Sequence, residues 1–328
     1  MPSPRDVDLR VDLAGILLPN PVMTASGCAA AGRELDAFFD VADLGAVVTK
    51  SIMLDPRAGR PTPRMAETPS GMLNSIGLQG PGIDSFLGQE LPWLARRRAR
   101  AVVSIAGSTL GEYAELARRV GSSPGVSAVE VNISCPNVAN RGMVFACDPY
   151  QAAKVIAVVR RDVPRGVPVF AKLSPDVTDL VGVAEAVVAA GASGLSMINT
   201  TLGLAIDPGT LRPVLGGVTG GLSGPAIRPL ALRCVWQVHQ AMPDVPIIGI
   251  GGIKTGFDAL AFLVAGASAV QVGTVIFHDP GAPMRIVAEL RDELSRRAFT
   301  SAAQVVGLAH TPATDSLAAT DLEGLRTP

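Results

Sequence analysis

Short runs of β-branched and small aliphatic residues recur along the chain, each bounded by turn residues: 22–27, 46–51, 101–107, 128–135, 168–174, 194–200, 246–252 and 269–274. Between most of them the apolar positions take up a helical period, as over 148–161, 177–190, 225–241 and 256–265. Strand, loop and helix repeated eight times, with no compositional break, predict the α/β class and a single (β/α)8 barrel over a doubly wound sheet. Residues 1–300 form the predicted barrel domain, and 301–328 a C-terminal tail expected to be disordered in part. The longest apolar stretch, 181–198, carries Glu185 and several glycines, so it predicts a buried helix followed by a strand. Two connections break the rhythm: 53–88, rich in Pro and Gly, and 202–224. Connections this long inside a compact barrel are usually functional.

In such barrels the reacting groups sit at the C-terminal ends of the strands and in the loops that follow. The predicted strands end in Ser26 and Gly27, Lys50 and Ser51, Asn132, Ser134 and Cys135, Lys172, Asn199 and Thr200, Gly251 and Gly252, and Gly273 and Thr274. Of 28 basic residues only four are lysines, yet Lys50 and Lys172 stand at strand ends, where a compact ammonium on a flexible stem is wanted and not a planar fork. Five of the six asparagines (74, 132, 137, 140 and 199) fall on the same rim.

Composition narrows the function classes. Aromatics are 4% of 328 residues and hydrophobic residues 48%, a small-aliphatic core suited to parallel strands covered by helices. The net charge of −1 is spread evenly, leaving no electrostatic footprint for nucleic acid or an anionic membrane; the basic run 96–100 reads as a solvated helix end. The N-terminus lacks an apolar signal core, so a soluble cytoplasmic protein is expected. The cysteines at 28, 135, 147 and 234 form no CxxC pair and are expected to be free thiols; the histidines at 239, 278 and 310 are far apart, and no metal is expected.

Each motif has a plain and a functional reading. Lys50 and Lys172 either bury their stems beside a carboxylate or face an electron-rich cofactor or anionic ligand; no acid stands beside either in the sequence, favouring the second. GIGGIKTG (249–256) and VQVGT (270–274) are tight turns or, following strands seven and eight, a phosphate cradle. Lys254 occupies the last glycine position of a dinucleotide fingerprint, and no Gly-Lys-Ser or Gly-Lys-Thr forms a P-loop. Cys135 is set apart from the other cysteines: it ends a strand, precedes Pro136, lies between Asn132 and Asn137, and is followed by a loop, 138–146, expected to act as a lid. With no histidine nearby, it reads as a general base and not a nucleophile.

These residues resemble a known family. TASG (24–27), TKS (49–51), NSIGLQGPG (74–82), NISCPN (132–137), AKLSPDVTD (171–179), MINTTLGLAID (197–207), TGGLSGPAIRPLAL (219–232), IIGIGGI (247–253) and ASAVQVGT (267–274) are similar to dihydroorotate dehydrogenases of class 1, most closely the 1B catalytic subunit. The resemblance implies a TIM barrel with FMN at its C-terminal rim, oxidising (S)-dihydroorotate to orotate in de novo pyrimidine (UMP) biosynthesis. It makes Cys135 the base that takes the C5 proton while hydride leaves C6 for flavin N5. Lys50, Asn74, Ser75, Ile76, Gly77, Leu78, Asn132, Asn137, Asn199 and Thr200 match substrate positions. Ser26, Lys50, Ser51, Asn132, Lys172, Ile198, Gly224, Gly251, Gly252, Gly273 and Thr274 match FMN positions, with Ser104 standing where many members carry an asparagine near FMN. Lys172 at the pyrimidine edge would stabilise negative charge on reduced flavin. The membrane-associated class has serine in place of the cysteine and an N-terminal helix; this sequence has the cysteine and lacks the helix.

The resemblance also implies a homodimer and a separate electron-transfer subunit with FAD and an iron-sulfur cluster, giving a heterotetramer linked to NAD. Two other readings stand beside it: a related FMN barrel oxidoreductase acting on dihydropyrimidines, and a noncatalytic barrel.

Overall fold

The computed structural model describes residues 6–133 and 148–311. Eight parallel strands form the barrel: β1 Val22–Thr24, β2 Val47–Val48, β3 Ala101–Ile105, β4 Val126–Asn132, β5 Val169–Leu173, β6 Gly194–Met197, β7 Ile247–Ile250 and β8 Ala269–Val272. Their order is β1-β8-β7-β6-β5-β4-β3-β2. The helices are α1 Leu91–Arg96, α2 Leu110–Gly121, α3 Pro149–Asp162, α4 Leu180–Ala189, α5 Arg228–Ala241, α6 Gly256–Val264 and α7 Ala282–Arg296. After β1 two 3-10 turns, Leu35–Ala37 and Val41–Asp43, take the helix's place. Among the described residues no helix is long and apolar enough to cross a membrane.

The helices start where the sequence supplies oxygen acceptors for their free N–H groups. Thr109, Asp148, Asp179 and Thr255 each accept from a backbone N–H of the first turn, and Thr255 with Asp258 completes a capping box. Their apolar stripes pack on strands whose residues are buried on both faces, as in Val169–Leu173 and Ile247–Ile250.

The seam between β1 and β2 closes the ring. Met23 bridges Ala46, and Thr24, fully buried, both accepts from Val48 N at 2.9 Å and donates to Val48 O at 3.2 Å. One side-chain hydroxyl therefore stands in for ladder bonds that this short strand pair lacks.

The two long connections meet over the barrel mouth. The hairpin Met65–Thr68 and Gly71–Asn74 pairs antiparallel with Gly220–Ser223, which pairs in turn with Thr201–Gly203. Gly221 lies opposite Asn74, and a side chain there would collide with Thr200.

Residues 301–311 continue the packed body. Ala302 N donates to Asp8 O at 2.9 Å, Ala302 and Val305 are buried, and the His310 ring stacks on Trp236 with centroids 3.7 Å apart.

Thr24→Val keeps the shape of the seam but leaves Val48 N without its acceptor. A buried donor left unpaired costs about 1–3 kcal/mol, so urea unfolding should show a lower midpoint at unchanged slope.

Candidate active site

A cavity of about 780 Å³ opens at the C-terminal ends of the strands, beneath the four-stranded mouth sheet. On the β1–β4 side the wall is held by hydroxyls and one amide. Ser51 Oγ accepts from Asn132 Nδ2 at 3.0 Å and lies 3.2 Å from Ser26 Oγ and 3.0 Å from Ser104 Oγ. Asn132 closes β4, and its carbonyl accepts from Tyr113 of α2 at 2.8 Å. Its side-chain oxygen faces Asn199 Nδ2 at 3.4 Å, and Asn199 Oδ1 in turn accepts from Thr200 N at 2.8 Å. With both ends engaged, the Asn132 amide has one orientation.

Two lysines reach the cavity from strand ends. Lys50 follows β2, with its stem and amine against Gly27. Lys172, on β5, is almost wholly buried and lies 3.4 Å from Glu130 Oε1. This corrects one expectation: Lys172 does have an acid beside it, brought from the neighbouring strand. Glu130 lies two residues before Asn132, so strand alternation places both on the inward face; that spacing was the available signal.

On the β6–β8 side the wall is backbone. Gly224, Gly251 and Gly252 have φ of 92°, 135° and 71°, a region that favours glycine. A Cβ on Gly252 would lie 2.7 Å from Gly224 O, so the turns touch without side chains between them. Gly273 and Thr274 complete this side, with Thr274 Oγ1 donating to Ser223 Oγ at 2.8 Å. Ile198 and Thr200 line the β6 end, while Asn74, Ile76, Gly77 and Leu78 line the cavity from the first long connection.

Two expected contacts are set back from the wall. Ser104 is fully buried behind Ser51, and Ser75 is buried with Arg60 Nη1 3.4 Å from its hydroxyl; neither lines the cavity. Cys135, Asn137 and the lid expected over 138–146 lie outside the described residues.

Sequence reasoning missed several lining groups, among them Arg60, Lys254, Asp176 and Cys28. Arg60 and Lys254 add positive charge, while Asp176 is the one carboxylate among the described lining residues. Asp176 is occupied by Thr201 Oγ1 and by Leu202 N at 2.9 Å, tying the β5 loop to the mouth sheet. Cys28 also lines the wall, half-buried; burial pushes its thiol up to about 11, opposed by the nearby Lys172 and Lys50 charges. Lys50, Arg60, Lys172 and Lys254 therefore face one engaged carboxylate, a balance that favours an anionic ligand.

Fold and site together define an α/β barrel whose rim cavity, lined by cations and amides, adjoins a cradle of glycine turns, an arrangement suited to an anionic ligand. The family model for dihydroorotate dehydrogenase matches residues 8–294, and the chain belongs to that family. It is 52% identical over 300 residues to a "Dihydroorotate dehydrogenase B (NAD(+)), catalytic subunit" of Geotalea daltonii, covering 92% of this chain and 97% of that one. A relative of the same description from Anoxybacillus flavithermus is 49% identical over 299 residues, covering 91% and 95%. Among solved structures, that of Eimeria tenella DHODH in complex with ferulenol superposes with a TM-score of 0.76 at 25% identity, covering 93% of this chain and 89% of that one.

A thiol held near 11 is neutral at neutral pH and a poor nucleophile. Peptide mapping after iodoacetamide treatment at pH 8 should find Cys28 unmodified, with alkylation setting in only as the pH nears that value.

Proposed function

We propose that this protein oxidises (S)-dihydroorotate to orotate in de novo pyrimidine biosynthesis, as the FMN-containing catalytic subunit of a type B dihydroorotate dehydrogenase. The observation that carries the reading is the cavity's charge balance: cations around a set of oriented amides, as a carboxylated cyclic imide requires. The described relatives are named for this activity. They do not favour the dihydropyrimidine alternative.

The donor set fits FMN. Side-chain-free turns at Gly224, Gly251, Gly252 and Gly273, with Thr274, suit a phosphate; Ser26, Lys50, Ser51, Asn132, Lys172 and Ile198 suit a polar ring edge. FMN, when bound, supplies the acceptor for the hydride that leaves C6. Lys172 would hold the polar edge of that ring with its cation, and Ser104 acts one step behind, orienting the Ser51 hydroxyl.

Lys50 offers its ammonium to cofactor and substrate alike. Asn74, Asn199 and Asn132 present neutral donors and acceptors for the ring amides, with Ile76, Gly77, Leu78 and Thr200 shaping the pocket, Ser75 supporting them from behind the wall, and Asn137 completing the amide set. Cys135, three residues past Asn132 in the sequence, takes the C5 proton as general base. The relatives are named as catalytic subunits; we propose a cytoplasmic homodimer joined by an electron-transfer subunit carrying FAD and an iron-sulfur cluster, in a heterotetramer that reduces NAD.

The purified chain should be yellow, release FMN on denaturation, and form orotate with an artificial acceptor. Dihydrouracil, which lacks the carboxylate, should leave the flavin oxidised; a folded, FMN-loaded preparation inert toward dihydroorotate would overturn the reading.

Cys135→Ala should retain FMN and lose about 10²–10⁴-fold in flavin reduction rate. Cys135→Ser should keep part of the rate with its pH optimum moved upward, because a serine hydroxyl is a much weaker acid than a thiol of pKa about 8.5. Stopped-flow reduction across pH measures both.

A further inference from the structure

The barrel interior beneath the cavity carries a polar layer that neither fold nor proposed chemistry requires. Glu130 on β4, Ser196 on β6 and Gln271 on β8 come from alternate strands, as the residues of one interior layer of an eight-stranded barrel do. All three are buried, Glu130 and Ser196 completely. Glu130 Oε2 accepts from Gln271 Nε2 at 2.8 Å, and Glu130 Oε1 lies 3.4 Å from Lys172 Nζ. Lys172 stands on β5 between β4 and β6, in register with Asn132 on one side and Ser196 on the other. Its amine is thus the link between this layer and the cavity wall.

The layer is a poor stabilising device. Ser196 Oγ and Gln271 Oε1 are buried with no hydrogen-bond partner among the described residues, and a buried ion pair is often no better for stability than well-packed apolar residues of like volume. The other buried carboxylate among the described residues, Asp258, has a structural task, capping α6 and pairing with Arg228 at 2.6 Å. Among the described residues Glu130 caps nothing and closes no turn; its partners there are Lys172 and Gln271.

We infer that Glu130 is a positioning residue for the reaction: held by Gln271, it anchors the Lys172 amine at the floor of the cavity and offsets part of that charge. It thereby sets how much more tightly the site holds reduced, negatively charged FMN than oxidised FMN. The inference rests on FMN being the cofactor proposed above. The geometry carries a sign. Glu130→Gln keeps the shape and removes the offsetting charge, so Lys172 acts with its full cation and the preference for reduced FMN rises. Gln271→Leu removes one of the two partners that Glu130 has among the described residues, leaves it to Lys172, draws the amine inward, and lowers that preference.

The experiment measures FMN affinity by titrating apoprotein, and the midpoint potential of bound FMN, for parent, Glu130→Gln, Lys172→Met and the double variant. Glu130→Gln should shift the ratio of reduced to oxidised affinity about tenfold, or about 30 mV for a two-electron couple. In the Lys172→Met background the same substitution should shift it less than twofold. A purely structural role for Glu130 would weaken both oxidation states equally and leave the potential where it is. An unshifted potential in Glu130→Gln with stoichiometric FMN, or an equal shift with and without Lys172, overturns the inference. Should Glu130→Gln not fold, Gln271→Leu takes its place: a fall in potential supports the inference, and an unchanged one overturns it. A parent chain that takes up no FMN fails the cofactor reading itself and takes this inference with it.

Discussion

A single buried hydroxyl organises one half of the cavity. Ser51 Oγ receives the Asn132 amide and touches the hydroxyls of Ser26 and Ser104, so residues from the ends of β1, β2, β3 and β4 meet at one atom. Because Asn132 also engages Asn199, the arrangement extends to the end of β6. Groups on separate strands otherwise move with separate strands; joined here, they hold the amides and hydroxyls of the wall in one mutual arrangement. The parallel barrel makes this possible by bringing strand ends from distant parts of the chain to one rim.

The opposite half works by omission. At Gly224, Gly251 and Gly252 a side chain would collide with Gly71, with Ala231 and with the Gly224 carbonyl in turn, which leaves bare backbone along that side of the cavity. The site thus combines a side-chain half that can discriminate among flat polar rings with a backbone half suited to a phosphate. Positive charge from Lys50, Arg60, Lys172 and Lys254 overlays both, so the cavity draws anions whichever half they enter first.

The fold was legible because a barrel strand buried on both faces must be a continuous aliphatic run, and each of the eight predicted runs overlaps an observed strand. Most of the strands end before the predicted runs do: Ser26, Lys50, Asn199 and Thr274 stand past the last ladder residue, where side chains point into the cavity instead of across the sheet. The mouth sheet was not legible. Gly220–Ser223 and Gly71–Asn74 have little intrinsic strand preference, and their conformation comes from pairing with each other. Ser75, within a matching motif, and Ser104, at an expected FMN position, both sit behind the wall, since sequence position records neighbourhood along the chain and not which atom faces the cavity. Glu130 was overlooked for the opposite reason: it lies within an apolar run, and only the inward-facing period of β4 reveals it.

The pairing of Asn74 with Gly221 has a consequence for how the protein comes into being on the ribosome. The hairpin Met65–Asn74 is synthesised early, but the strand that covers its open edge is 147 residues further along. Until then the hairpin presents unpaired backbone groups, a template for association with other nascent chains. Contacts of such span form slowly, because the intervening loop must close first. The mouth sheet therefore cannot be completed before Gly220–Ser223 has been made, and a chain halted before residue 220 carries the cavity-lining ends of β1 to β6 without the roof that covers them.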